Sequence, residues 1–150
     1  MTDLRALFHH LVRLEIELWD AIDQRLHAEL DMSMGRLDVL QAIARTPNAR
    51  VQDVARELSI TVGGTSKAVD RIEAAGYGRR RANPEDRRSS IIELTPDGAD
   101  LLERALVILD AELRLRVGDI LPEANLTSLT TSLAMLRAAG SVVNERIKTR

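Results

Sequence analysis

Apolar residues recur at steps of three and four over most of this chain, and that period admits few architectures. From the N-terminal side, Leu4, Leu7, Leu11, Leu14, Leu18, Ile22, Leu26 and Leu30 keep the step without a break. Residues so spaced share one face of a single amphipathic helix, which Thr2 or Asp3 can cap. At 1.5 Å per residue such a helix is about 40 Å long, more than a small domain needs for its own core. On the C-terminal side Leu126, Leu129, Leu133, Leu136, Gly140, Val143 and Ile147 keep a four-three heptad. That seam packs either on its own chain or on another, and the over-long first helix favours another chain. Aromatic residues make up only 2% of the 150. The core is therefore built from Leu, Ile, Val and Ala, which favours helix on helix.

Between these ends the chain is punctuated. Ser33 caps a helix running to Arg45 with Leu37, Val39, Leu40 and Ile43 inward, and Thr46-Pro47-Asn48 ends it. A short helix follows over Val51–Leu58, then Ser59-Ile60-Thr61, then a helix that Thr61 can cap. Ala55 is small enough for the next helix to approach, and Ser59 stands at the turn. Thr65, Ala68, Val69 and Ile72 press back, so the layout is that of a helix-turn-helix. Ser59 replaces the usual glycine and must adopt an unfavourable backbone angle. Thr65 stands where an apolar β-branched residue is usual. Gly76 stops the helix. Tyr77–Ala82 and Ser89–Leu94 then read as two strands, with Ile92 and Leu94 on one face, joined through Asn83-Pro84-Glu85-Asp86. The pair forms a wing with Arg87 and Arg88 at or near its tip. An arginine on a narrow projecting loop suits the minor groove of DNA, where negative potential is focused.

Charge is distributed to match. The chain carries a net −2, yet Thr61–Arg88 holds seven basic residues against four acidic, a net of +3 that leaves −5 for the remainder. A local basic patch on an acidic protein is either a solvated face or an electrostatic footprint for a polyanion. On the helix after the turn, Val62, Gly63, Ser66, Lys67, Asp70 and Arg71 fall outward. Gly63 and Gly64 each cost about 1 kcal/mol against alanine. They mark either a frayed helix start or a helix end stripped of side chains so that its amides approach a phosphate or base edge.

Several functions are excluded or unsupported. The absence of cysteine rules out disulfides, thiolate metal sites and thiol redox sensing. No apolar run spans a membrane and no signal peptide precedes the first helix, so the chain is expected to be cytoplasmic, without a membrane partner. No phosphate loop, His-Glu-x-x-His or nucleophile elbow occurs, so no enzyme, cofactor or metal site is expected. His9 and His10 are adjacent and point about 100° apart on a helix.

Asp86-Arg87-Arg88, followed by Ile91-Ile92-Glu93-Leu94-Thr95-Pro96-Asp97-Gly98, resembles the wing signature of the MarR family of bacterial transcriptional regulators: Asp-x-Arg, a short strand, then Leu-Thr-x-x-Gly. Ser66-Lys67, Val69-Asp70-Arg71-Ile72-Glu73 and Gly76 are similar to that family's recognition helix and exit. The resemblance extends over nearly the whole chain in helix order and length. It implies a fold that is mainly α with a small β wing, a winged helix-turn-helix lobe over 33–95, and helical dimerisation arms from both termini over 1–30 and 99–150, in one domain of 150 residues.

It also implies a homodimeric, ligand-responsive repressor of a near-palindromic operator on double-stranded DNA. The contacts would come from Thr61, Val62, Gly63, Gly64, Ser66, Lys67 and Arg71 in the major groove, and from Asp86, Arg87 and Arg88 on the wing. Arg88 would enter the minor groove and Asp86 would fix the wing. Regulators of this family commonly bind small aromatic or amphipathic effectors between the arm and the lobe, for which Phe8, His9, His10 and Trp19 are candidates. Leu4, Leu7, Leu11, Leu129, Leu133, Leu136 and Val143 would form the dimer interface. Gly78 departs from the family's usual aliphatic residue, so a loosely anchored wing is expected. The competing readings are a non-catalytic protein-interaction winged helix and a constitutive architectural DNA binder.

Overall fold

The structure, a computed structural model, describes residues 3–148, with side chains described for 3–140. The elements are α1 (Leu4–Leu30), α2 (Met34–Arg45), α3 (Val51–Leu58), α4 (Val62–Ala74), β1 (Gly78–Ala82), β2 (Ser90–Leu94), α5 (Pro96–Leu113) and α6 (Glu123–Lys148). One wider π-type turn, Arg114–Gly118, follows α5. The chain falls into two compact units, one up to Asp110 and one from Ala111.

In the first unit, α1 is capped by Asp3, whose Oδ1 accepts from the amides of Arg5 (2.9 Å) and Ala6 (3.3 Å). Thr2, the alternative cap, lies outside the described residues. Only the C-terminal half of α1 enters the core, through Ile22 and Leu26. Asp31 ends it in the left-handed region, φ 50°. Asp23 Oδ1 then accepts the Met34 amide at 2.6 Å and ties α1 to the start of α2. Ser33 caps α2 through the Arg36 amide at 3.2 Å. Leu37, Val39, Leu40 and Ile43 are all buried, as their spacing predicts. With Leu26, Met32, Val54, Val69 and Ile72 they form the core. Helix α5 closes it with Leu101, Leu102, Ala105 and Ile108. Ile108 is buried with them, while Leu106 and Leu109 are only half-buried against the core.

The helix-turn-helix closes as its spacing requires. Ser59 takes φ 55°, ψ 35°, a left-handed angle that costs a non-glycine residue some strain. The Ile60 amide donates to Ala55 O across the turn (3.1 Å). Thr65 is fully buried. Its hydroxyl, the group that made it unusual there, donates to Thr61 O at 2.9 Å, so no polar atom is stranded.

The hairpin pairs Gly78 with Leu94 through to Ala82 with Ser90, antiparallel. It is buried on both faces. Ile92 is in the core with Leu94 packed half-buried against it, while the neighbouring Ile91 is also buried and faces Pro47 and Asn48 of the α2–α3 loop. The Ile92 amide donates to Ala49 O (2.7 Å), so the loop completes the sheet edge. Gly78 does not loosen this wing. A Cβ there would stand 2.9 Å from Ile72 Cγ2, so glycine is what lets β1 lie against α4. Leu94-Thr95-Pro96-Asp97-Gly98 fastens the hairpin's base. The Thr95 amide donates to Tyr77 O (3.1 Å), its hydroxyl donates to Gly76 O (2.7 Å), and the same oxygen accepts the Gly98 amide (3.1 Å).

In the second unit, α6 carries the expected heptad. Leu126 and Leu133 are half-buried, whereas Leu129 and Leu136 are exposed. Val143 and Ile147 lie outside the residues whose side chains are described.

Candidate nucleic-acid interface

Helix α4 starts where Thr61 Oγ1 accepts the Gly64 amide (3.1 Å). A Cβ on Gly64 would meet that same oxygen at 3.1 Å, whereas a Cβ on Gly63 would meet nothing within 4 Å. Gly64 therefore serves the cap, and Gly63 leaves open backbone at the surface. Beside it Val62, Lys67, Asp70 and Arg71 are exposed and Ser66 is half-buried. Together with Thr61 they form one outward face.

The wing tip is held by side chains, not by regular pairing. Buried Asn83 accepts the Glu85 amide (3.0 Å) and donates to Ser89 Oγ (2.9 Å). Asp86 Oδ1 accepts the Arg88 amide (3.0 Å), and its carbonyl accepts the Ser89 amide (3.1 Å). Asp86 thus fixes the backbone that presents Arg88. Arg87 and Arg88 themselves are exposed at the tip.

The basic stretch divides into paired and unpaired charges. Arg79 Nε (2.7 Å) and Arg81 Nε (3.0 Å) both reach Glu93 across the hairpin, and Arg81 also donates to Asn48 Oδ1 (2.8 Å). Arg80 bridges the wing to α4, with Nη2 on Asp70 (2.5 Å) and Nη1 on Glu73. These bonds hold the Glu93 carboxyl below its ordinary value, through Arg79 first and Arg81 second. They raise the Arg80 guanidinium, chiefly through Asp70. Lys67, Arg71, Arg87 and Arg88 form no ion pair among the described residues. Counting seven basic residues overlooked this. The facing of Arg79 and Glu93 becomes visible only once the hairpin register is known.

Behind α4 lies a cavity of about 500 Å³. Trp19 of α1, Val39 of α2, Leu58 and Ile60 at the turn, and Ala68 and Ile72 of α4 give its apolar walls. Arg36, Asp38 and Arg71 bring charge to it. Burial pushes the Asp38 carboxyl up, against the pull of Arg45. Of the four pocket candidates, Trp19 alone lines this cavity. Phe8 is 68% exposed, and His9 and His10 are exposed, ring edge to ring face with centroids 6.0 Å apart. Arg71, assigned by its spacing to the outward face, is exposed and also lines the cavity, so it touches both surfaces. Arg36 and Asp38 are not singled out by the sequence, since nothing in the helical spacing of α2 marks the residues flanking buried Leu37 as a cavity wall. Among the described residues no cluster of three or more His, Asp or Glu could hold a metal ion, and no helix is long and apolar enough to cross a membrane.

A helix-turn-helix with a two-stranded wing, its second helix and its wing tip both carrying unpaired cations, defines the winged-helix class. Residues 30–89 match the MarR family model, and over that lobe the chain is similar to the MarR family. Over 67 residues it is 34% identical to an HTH-type transcriptional regulator, YfiV, of Bacillus subtilis, a match covering 45% of this chain and 42% of that protein. The chain spans about half the length, or somewhat less, of the curated relatives it matches. Among solved structures it is similar to Sco3205, a MarR family transcriptional regulator from Streptomyces coelicolor, in complex with DNA. The identity there is 25% and the TM-score 0.81, over 90% of this chain and 86% of that one. It also shares its fold with CouR from Rhodococcus jostii RHA1 bound to p-coumaroyl-CoA, at 20% identity and TM-score 0.76, over 85% and 88% of the two chains.

Proposed function

We propose that this protein is a cytoplasmic, non-enzymatic transcriptional regulator: a homodimeric repressor that binds a near-palindromic operator and releases it when a small molecule fills the cavity behind α4. The observation that carries the reading is the selective freedom of Lys67, Arg71, Arg87 and Arg88, while every arginine of β1 is neutralised by a neighbour. Among the described residues of Thr61–Arg88, positive charge without an ion pair is left on the helix face and the wing tip. In this arrangement Thr61–Arg71 enters the major groove, Arg88 enters the minor groove, and Asp86 holds the loop that aims it. The resemblance to a regulator solved with DNA supports the first part, and a ligand-bound relative of the same fold supports the second.

The effector acts through differential affinity. Trp19, Asp38 and Arg71 come from α1, α2 and α4, so a ligand touching all three favours one spacing of recognition helix and arm over another. Because Arg71 borders both cavity and DNA face, a bound ligand also competes for its charge.

Selection of bound sequences from random DNA tests the reading. A near-palindrome with half-sites about one helical turn apart is expected, with affinity falling steeply in salt. Four free cations per protomer, eight in a dimer, give a log–log slope of about −7, whereas all seven basic residues of the stretch would give about −13. Arg88→Ala is expected to weaken binding about tenfold without altering oligomeric state. A flat salt response would instead make the lobe a protein-interaction module, and binding without sequence preference would make it an architectural protein.

A further inference from the structure

A groove of about 390 Å³ lies between α4 and the wing, floored by the start of α3. Val62 and Ser66 form one wall, Arg88, Ser89 and Ser90 the other, and Arg50, Val51 and Gln52 the floor. The reading of α4 as a major-groove element and the wing as a minor-groove element, on which this inference rests, carries a geometric consequence. Adjacent major and minor grooves on one face of a duplex are divided by a single sugar–phosphate strand. A protein that engages both must let that strand pass between its two reading elements, and this groove is the space between them.

The lining suits a phosphodiester. Arg50 spends Nε (2.9 Å) and Nη2 (3.3 Å) on Asp53, which satisfies only part of a five-donor guanidinium. In the amide orientation that satisfies both groups, Gln52 Oε1 accepts from Arg50 Nη1 (2.9 Å) and Nη2 (3.1 Å), so its NH₂ remains a donor. Ser66 and Ser90 add hydroxyls. Two other charged residues border the groove, Arg80 and Asp86. Arg80 is taken by Asp70 and Glu73, and one oxygen of Asp86 is turned to the Arg88 amide. We propose that this groove seats one phosphate of the strand dividing the two grooves, with Arg50 as its cation and Gln52, Ser66 and Ser90 as neutral donors. None of these except Ser66 belongs to the face that spacing alone assigns to DNA. The seat holds helix and wing to the same strand, and so sets the wing's register relative to the major-groove half-site.

The test uses the full chain and a duplex recovered by selection, resynthesised with one neutral methylphosphonate at each backbone position in turn. One position, between the major-groove half-site and the flanking minor groove, is expected to lower wild-type affinity about tenfold, the size of one charge-assisted hydrogen bond. In Gln52→Ala, and separately in Arg50→Ala, the penalty at that position is expected to shrink below about threefold while penalties elsewhere persist. Arg50 also braces α3 through Asp53, so the exposed Gln52 provides the variant that leaves the fold intact. A penalty undiminished in both variants, or no sensitive phosphate between the grooves, overturns the seat while leaving DNA binding standing. A wild-type protein that recovers no duplex overturns both readings.

Discussion

Gly63 and Gly98 separate two uses of one residue type. Both lie in the first turn of a helix, and both give up helical stability that alanine would supply. A Cβ on Gly98 would stand 1.8 Å from Tyr77 O and 2.8 Å from Tyr77 C. Both are backbone atoms pinned by the Thr95 hydrogen bond, so nothing nearby can yield. Gly98→Ala is expected to cost about 3 kcal/mol, near the upper range for overpacking, and to lower the melting temperature by roughly 10 °C. A Cβ on Gly63 meets no atom, so Gly63→Ala is expected to hold or raise the melting temperature, by up to about 1 kcal/mol in stability. In the proposed complex the same methyl stands where the helix end approaches DNA, so affinity for the selected duplex is expected to fall severalfold. Thermal melts and DNA titrations on the two variants resolve the matter. Gly63→Ala with full affinity would mean that no close backbone approach occurs there, and an undestabilised Gly98→Ala would mean that α5 packs less tightly on Tyr77 than the geometry requires.

Among elements, the hairpin is fixed by the ion pairs of Arg79 and Arg81 with Glu93 and by Ile91 and Ile92, buried on its opposite faces. Hydrogen bonds from Arg79 and Arg81 hold the Glu93 carboxyl below its ordinary 4.5, and Arg50 does the same for Asp53 below its ordinary 3.8. A depressed carboxyl supports the fold above its ordinary value and loses that support as pH falls through the folded value. Asp38 has the opposite sign: burial raises it above 3.8, so its contribution is present in acid and is lost as pH rises through the folded value. Acidification below about pH 4.5 is therefore expected to weaken the hairpin while the α1–α2 region gains from Asp38. Amide exchange should show protection in Arg79–Ala82 declining first, and Glu93→Gln should abolish that pH dependence. A decline that is uniform over the lobe would mean that Glu93 does not govern the hairpin. These ionic pairs were the least legible part of the sequence. Helix positions followed from the three-four step, and the turn followed from Ala55, Ser59 and Thr61, because those signals are local. Glu93 lies fourteen residues from Arg79, and its partnership depends on strand register. Gly78 read as a gap in the strand because Ile72, which fills the space, belongs to another element. The cavity wall formed by Asp38 was hidden for the same reason.

For the whole molecule, exposed apolar residues gather on α1 and on α6. On α1, Leu4 is 73% and Leu7 43% exposed, and Phe8, Val12 and Ile16 extend the exposed apolar surface to Trp19. The N-terminal half of this helix is thus apolar over more of its circumference than one neighbour covers. On α6, Leu136 is 61% exposed and Leu129 39%. In the proposed homodimer a second copy of the chain covers both surfaces, and the proposed near-palindromic operator calls for one, since two-fold DNA symmetry mirrors two-fold protein symmetry. Leu136→Glu and Leu7→Glu place charges at positions already open to solvent in the protomer, so each is expected to leave the protomer folded by circular dichroism. Each is also expected to halve the mass seen by sedimentation equilibrium. Separating the two lobes removes the advantage of simultaneous binding, which amounts to a factor of about 10² to 10⁴. Affinity for a two-half-site duplex should therefore fall by about a hundredfold or more, while affinity for an isolated half-site stays within about twofold of wild type, as expected when only the bivalent term is lost. A monomeric Leu136→Glu that still binds the full site at wild-type affinity would show that one lobe suffices. A dimeric Leu136→Glu beside a monomeric Leu7→Glu would confine the interface to α1.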